Sequence, residues 1–279
     1  MKIRKFKMIN SLGNEWNLMR KDSFLYSPEG LGVSKENEYI RIGSTYELIQ
    51  SLTAQKSVNF NMLFKSYSVY SDFADFIVYT PLKIAYMPLD EWVYIDGEIT
   101  SMEKTEIDGD VRRLICPCVF TASSMWYIPR AAQKTADDVQ NAKKYNYTYN
   151  YAYADELNGY IRINNKGSED SPAKITIFGP ITDPAWYVSV NNTVVASGAI
   201  TADIPEGHKV VINSKDGDLE IAEYIISTNR RLRNLYQYTD FDRETFVLFP
   251  PGNSVLFISG INEGSIEAWC EVEEIHETV

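Results

Sequence analysis

Along most of this chain apolar and polar residues alternate in short stretches, the period of two that sends successive side chains to opposite faces of a strand. Ile3, Phe6 and Met8 stand out against Lys and Arg at the start, and Leu12-Gly-Asn14 turns the chain before Trp16 and Leu18, which predicts strand, turn and strand. Ser27-Pro28-Glu29-Gly30 reads as a turn, with proline where φ is preset and glycine where φ can be positive. Gly32 and Gly43 then punctuate a short strand through Tyr39-Ile-Arg-Ile42, and Ser57 to Phe64 alternates as a half-buried strand. The period changes over Ser71 to Val78. Phe73, Phe76 and Ile77 share a helical face, Ser71 is the expected N-cap, Asp72 and Asp75 fall in the first turns near the positive end of the helix dipole, and Thr80-Pro81 ends the helix.

From Trp92 to Phe120 the pattern is a long hairpin: Val93 to Ile99 leads up, Asp108-Gly109 turns, and Val111 to Phe120 returns. Residues 129–144 are polar and Ala-rich, as in a linker or short helix, and Tyr145, Tyr147, Tyr149, Tyr151 and Tyr153 then hold a strict period of two. Beyond them strands recur at Gly159–Ile163, Ala173–Phe178, Trp186–Val190, Thr193–Ala196, Lys209–Asn213, Ser254–Ile258 and Ser265–Val272, with Asn-Asn, Asp-Gly and Pro-Gly between them. Regular short strands with such turns describe a β-sandwich. The expected fold is mainly β, in two domains at 1–130 and 154–279 joined by a junction at 131–153. The first holds one short helix and the long hairpin.

The length, 279 residues, allows two cores without disulfide support, and 44% hydrophobic with 23% charged residues is ordinary folding material. Five Trp, 19 Tyr and 12 Phe strengthen the β bias. The net charge of −11 is unevenly spread: residues 1–130 hold 15 Lys and Arg against 16 Asp and Glu, residues 131–279 hold 12 against 22. A near-neutral first half can pack against copies of itself, while an acidic second half favours solubility and disfavours phosphate backbones, so a nucleic-acid reader is not expected. No apolar run reaches the roughly 18 residues of a membrane span, and the cationic start lacks the apolar segment of a signal peptide.

Candidate chemistry is sparse. Cys116, Cys118 and Cys270 leave an odd thiol in any disulfide scheme, which points to synthesis in a reducing cytoplasm. Cys116-Pro-Cys118 lacks the spacing of redox or zinc pairs and reads as two core residues on one strand face. His208 and His276 fall in a turn and a tail, with no setting for a ligand or general base. Glu103, Glu106, Asp108 and Asp110 crowd the hairpin tip, and Asp216-Gly-Asp218 and Asp240-Phe-Asp242 pair acids; solvated turns account for all of them. No catalytic residue, cofactor or metal is therefore expected. A carbohydrate-binding sandwich acting in cell-wall recognition is one function the aromatics allow, with Trp186 and Tyr187 as those a sugar could stack on, although Trp186 and Trp269 sit in alternating strands where core packing is the expected fate.

Across its length the chain resembles the distal tail protein of siphophages infecting Gram-positive hosts. The likeness lies in Gly13-Asn-Glu-Trp-Asn-Leu18, Ser27-Pro-Glu-Gly-Leu-Gly32, Tyr39-Ile-Arg-Ile-Gly43, the Tyr70 to Tyr79 helix, Lys104-Thr-Glu-Ile107 and Ser124-Met-Trp-Tyr127 in the first half. In the second it lies in Ile177-Phe-Gly-Pro180, Asn234-Leu-Tyr-Gln-Tyr-Thr-Asp240 and Phe249-Pro-Pro-Gly-Asn-Ser254, and the order of the pieces carries the signal. The resemblance implies a non-enzymatic hub of the virion tail tip or baseplate: an N-terminal β-sandwich or barrel-like domain closing a hexameric ring below the tail tube, and a C-terminal galectin-like β-sandwich. It implies as partners the major tail protein, the tail-associated lysin or tail fibre protein, the tape measure protein and, in some phages, a receptor-binding protein. DNA would pass through the ring without specific binding, and no membrane insertion is expected. Galectin-like describes the fold and gives no reason to expect lectin activity.

Overall fold

The computed structural model describes residues 4–106, 113–134, 159–261 and 266–279. Its contacts divide the chain into one unit of Met1–Ile128 with Ile275–Val279, and a second of Pro129–Glu274. The C-terminal residues thus belong with the first unit, although they follow the second in sequence. Of the expected junction 131–153, residues up to Lys134 continue a strand; the tyrosine series from Tyr145 to Tyr153 and the hairpin turn at Asp108-Gly109 lie outside the described residues.

In the first unit the alternation becomes β1 (Lys5–Ile9), β2 (Glu15–Asn17), β3 (Ser23–Glu29), β4 (Lys35–Ile42), β5 (Thr45–Thr53) and β6 (Ser57–Phe64). After the helix α1 (Tyr67–Ile77) come β7 (Leu82–Met87), β8 (Val93–Met102), β9 (Thr105–Glu106), β10 (Leu114–Ala122) and β11 (Trp126–Lys134). One antiparallel sheet runs in the order β3, β6, β10, β8, β7, β1, β2. Its ends approach each other, because Met19 bridges Phe24 just beyond β2 and Leu25 N–H donates to Leu18 O at 2.7 Å. The result is barrel-like. The expected long hairpin is β8 with β9 against β10, Cys118 facing Met102 and Ile115 facing Thr105.

The buried faces of these strands, Phe6 and Met8, Phe60, Met62 and Phe64, Ile84, Ile95, Cys116, Cys118 and Phe120, make one core. The helix closes it. Phe73 is fully buried between Trp16, 5.3 Å away between ring centroids, and Phe64, 5.4 Å away. The expected N-cap is corrected by the structure: Ser66 accepts from the Val69 N–H at 3.4 Å, and the helix starts before Ser71. Ser71 is helical, and Asp72 lies mid-helix and Asp75 in the last turn instead of in the first turns. The acids drew the start too late, since nothing local marks Tyr67 and Tyr70 as helical, and it is the fold that brings Tyr70 against Phe64, 5.6 Å away between ring centroids.

The second unit is a β-sandwich. Its strands are β12 (Gly159–Asn165), β13 (Ser171–Phe178), β14 (Ile181–Val190), β15 (Thr193–Ala199), β16 (Asp203–Ile204), β17 (His208–Asn213) and β18 (Glu220–Ile225). They are followed by β19 (Arg231–Asn234), β20 (Leu248–Phe249), β21 (Gly252–Ile261) and β22 (Ala268–His276). One sheet has the order β19, β18, β17, β13, β22 and the other β12, β21, β14, β15. Inward residues from both, among them Ile175, Ile177, Val210 and Cys270 from the first and Ile163, Trp186, Val188 and Leu256 from the second, share one core. No helix among the described residues is long and apolar enough to cross a membrane.

Candidate functional site

The thiols are embedded in the cores. Cys116 and Cys118 are buried on one face of β10, Cys118 Sγ lying 3.3 Å from Cys116 O, and Cys270 is buried in the sandwich. Burial disfavours the thiolate, so the Cys116 and Cys270 thiols titrate above the ordinary range and Cys118 is pushed up to about 12. Protonated thiols of this kind are poor nucleophiles and poor ligands. Among the described residues no three His, Cys, Asp or Glu side chains gather to hold a metal.

The acidic pairs make turns. Asp218 N–H donates to Lys215 O at 3.0 Å around Gly217, and its carboxylate accepts from Asn213 Nδ2 at 2.8 Å. Asp240 Oδ1 accepts from Asp242 N–H at 3.1 Å, and Arg243 lies 2.9 Å from its other oxygen. Of the hairpin acids Glu103 and Glu106 belong to the described strands and their connection, and Asp108 and Asp110 lie outside the described residues.

One ionic cluster went unnoticed in the sequence because its members are far apart along the chain. Glu223 on β18 is 3% exposed; His208 on β17 and Arg233 on β19 each reach one of its oxygens, at 2.5 Å. Burial raises the carboxyl pKa, but the two hydrogen bonds and the adjacent positive charges outweigh it, and Glu223 titrates below its ordinary range. Val210 faces Glu223 across β17 and β18, and Glu223 faces Arg233 across β18 and β19, so the cluster ties three neighbouring strands. His208 therefore opens a strand and orients a carboxylate, where a turn was expected.

The two aromatics of the sugar-binding reading part ways. Trp186 is fully buried, its Nε1 donates to Thr245 O at 3.2 Å, and its ring lies against Gly198, so it has no face to offer a sugar. Tyr187, on the other side of β14, stacks on Phe257 with centroids 4.8 Å apart. Trp269 departs from its expected core position: it is 44% exposed and packs edge-on to Phe178. Alternation settles that neighbours point opposite ways, but only the placement of the second sheet decides which side is inside.

The most exposed apolar surface belongs to β4 and β5, which pair with each other and with no other strand among the described residues. Gly43 and Ser44 join them, Gly43 at φ +63°. Tyr39 faces Leu48 and Arg41 faces Tyr46 on one side of this arm; Ile40 faces Glu47 and Ile42 faces Thr45 on the other. All of β4 is exposed, and Tyr46 reaches 70% exposure at the distal end. The base is tied down by Lys35 Nζ, 3.4 Å from Glu277, by Thr53 Oγ1, 3.2 Å from Glu277, and by Lys56 Nζ, 2.6 Å from Gly32 O. A second exposed apolar patch, Leu12, Val78 and Tyr79, forms where the β1–β2 turn meets the end of α1: Ser11 N–H donates to Tyr79 O at 3.1 Å and Asn10 Nδ2 to Phe76 O at 3.3 Å. Such surfaces suit protein contacts better than chemistry. The second strand of the arm was readable in principle, since Gly43-Ser44 is a two-residue loop between strand-forming stretches.

Residues 5–123 match the family model described as Distal tail protein, N-terminal domain. The matched stretch lies inside the first unit. Among solved structures the chain is similar to a chain of the phage P2 baseplate in its activated conformation with calcium, at 16% identity and a TM-score of 0.70, covering 100% of both chains. The strontium form of that baseplate matches with the same values. The SPP1 Dit (gp 19.1) protein, described as a paradigm of hub adsorption apparatus in phages infecting Gram-positive bacteria, matches at 12% identity and a TM-score of 0.58, over 98% of this chain and 99% of that one. At these identities the likeness is one of fold, and the fold is Dit-like. No curated protein matches the chain by sequence.

Proposed function

We propose that this chain is a structural virion protein, a distal tail hub of a phage or prophage of a Gram-positive host. Six copies close a ring through their first units, joining the tail tube to the baseplate and the host-adsorption apparatus. The observation that carries the reading is the coincidence of two likenesses: residues 5–123 match the distal tail domain model, and the whole chain takes the fold of baseplate hub chains. The protein is made in the host cytoplasm and works at the tail tip. It performs no catalysis and needs no cofactor, in keeping with buried thiols, turn-forming acids and a His208 engaged by Glu223.

The second, galectin-like unit faces other tail-tip proteins. The major tail protein, the tape measure protein and the tail-associated lysin or tail fibre protein are the expected neighbours, with a receptor-binding protein on the outer side. An acidic chain suits a conduit for DNA, because cationic linings retain phosphates by displacing counterions. The buried position of Trp186 gives the carbohydrate reading no support. Negative-stain imaging of the purified full chain, alone at high concentration and mixed with tail tubes, tests the proposal. Six-fold rings are expected; a chain found only on peripheral fibres would refute it.

A further inference from the structure

The second half of the chain is strongly acidic, with 12 basic against 22 acidic residues over 131–279, yet one pocket of the second unit gathers cations. It has a volume of about 380 Å³ and lies between β12, at the edge of one sheet, and β22 with β11 of the other. Its floor is apolar: Ile163, Cys270 and Val272 all belong to the sandwich core. Arg130, Arg162 and Lys166 line the rest of it, and Glu274 is the one acid among its lining residues.

The strands explain why these groups meet. Cys270, Val272 and Glu274 follow one another at period two, so Glu274 continues the core-facing side of β22. Its side chain is 1% exposed and both of its oxygens are engaged: Arg130 Nε donates to one at 3.0 Å, and the Lys166 backbone N–H to the other at 3.2 Å. The buried carboxylate thereby fixes the Arg130 guanidinium and the point from which the Lys166 side chain departs. Arg162, whose guanidinium stands over the Tyr160 ring at 5.7 Å, is four residues before Lys166 along β12. Among the described residues neither Arg162 nor Lys166 has a carboxylate within ion-pair distance. Three positive charges thus surround one negative charge, an excess of two that an anion would relieve.

We propose that this pocket binds a small phosphate dianion. Arg162 and Lys166 contact its oxygens from the β12 side, and Arg130, held in place by Glu274, faces them from β11. Guanidinium and ammonium groups are the side chains that recognise phosphate oxygens. A phosphate monoester carries roughly −1.5 to −2 charges at pH 7, which matches the local excess, whereas a single carboxylate would balance only half of it. The many acids elsewhere in this half repel a long polyanion, and a pocket of this size suits a small ligand. Inorganic phosphate and a small organic phosphate ester share the required chemistry, and the apolar floor distinguishes them. The site lies wholly within the second unit, so it stands apart from the ring reading.

The test is calorimetric titration of the purified full chain with inorganic phosphate and, separately, with glycerol 3-phosphate, at an ionic strength held constant with sodium chloride. One saturable site per chain is expected. Tighter binding of the ester identifies an organic phosphate as the ligand, and equal binding identifies inorganic phosphate; both support the site. A variant with Arg162→Ala and Lys166→Ala, both at exposed positions, should melt like the unmodified chain and bind at least about tenfold more weakly. Lys65→Ala, an exposed cation of the first unit, should bind as the unmodified chain does. Absence of saturable binding of both compounds to the folded unmodified chain would overturn the proposal, and so would undiminished binding by the double variant or an equal loss in Lys65→Ala. The first of these results needs no variant, so a double variant that failed to fold would leave the proposal decided by the unmodified chain.

Discussion

Glu277, near the end of the chain, lies 3.4 Å from the Lys35 ammonium and accepts from Thr53 at 3.2 Å, so the C-terminus fastens the two strands of the exposed arm at their base. Val279 packs on the first core close by in sequence. Replacing Glu277 by Ala should change global stability by less than about 1 kcal/mol, because both partners are partly solvated. Deleting Ile275–Val279 should destabilise more. In both cases limited proteolysis should cut between Ser34 and Lys56 sooner than in the unmodified chain, and unchanged cleavage there would show that the tail does not hold the arm.

Gly198 faces the ring of Trp186 so closely that an added Cβ would come within 2.6 Å of it. Trp186 has nowhere to go, being fully buried and bonded to Thr245. Gly198→Ala should therefore destabilise the chain by about 1–3 kcal/mol through overpacking. A thermal melt followed by tryptophan fluorescence reads it, and an unchanged midpoint would contradict the close contact.

The Glu223 carboxyl is depressed in the folded chain, so its contribution to stability is fully present above the ordinary value of 4.5 and is lost as pH falls below that toward the folded value. Glu223→Gln should lower stability at neutral pH and flatten the loss between pH 5 and the acid limit, a window set by that depression. Chemical denaturation at several pH values checks both. A variant whose stability falls as steeply as that of the unmodified chain would show that acid unfolding has another source.

The thiols offer a simple probe of the cores. With Cys116, Cys118 and Cys270 buried and their pKa values raised, none should react with a disulfide reagent at pH 8 on the timescale of minutes, and all should react once the chain is unfolded in guanidinium. Rapid labelling of one thiol in the native protein would mean that its strand opens easily.

Period-two alternation was enough to foresee a β-rich chain, the half-buried strand Ser57 to Phe64, the paired core cysteines of β10 and the sandwich strands of the second half, because the side-chain period of a strand is written in consecutive residues. The helical face of Phe73, Phe76 and Ile77 was legible for the same reason. What the sequence could not decide was anything that depends on a second element. Trp186 and Trp269 both stand in alternating strands, and only the opposing sheet makes one the centre of a core and leaves the other exposed. Ser66 caps α1 because Phe73 must meet Trp16 and Phe64, a constraint absent from the local run. His208, Glu223 and Arg233 become one cluster only when β17, β18 and β19 lie side by side. The arm is the sharpest case: its residues look like ordinary strand, and exposure of both faces is a property of where the other strands are, which local alternation cannot encode.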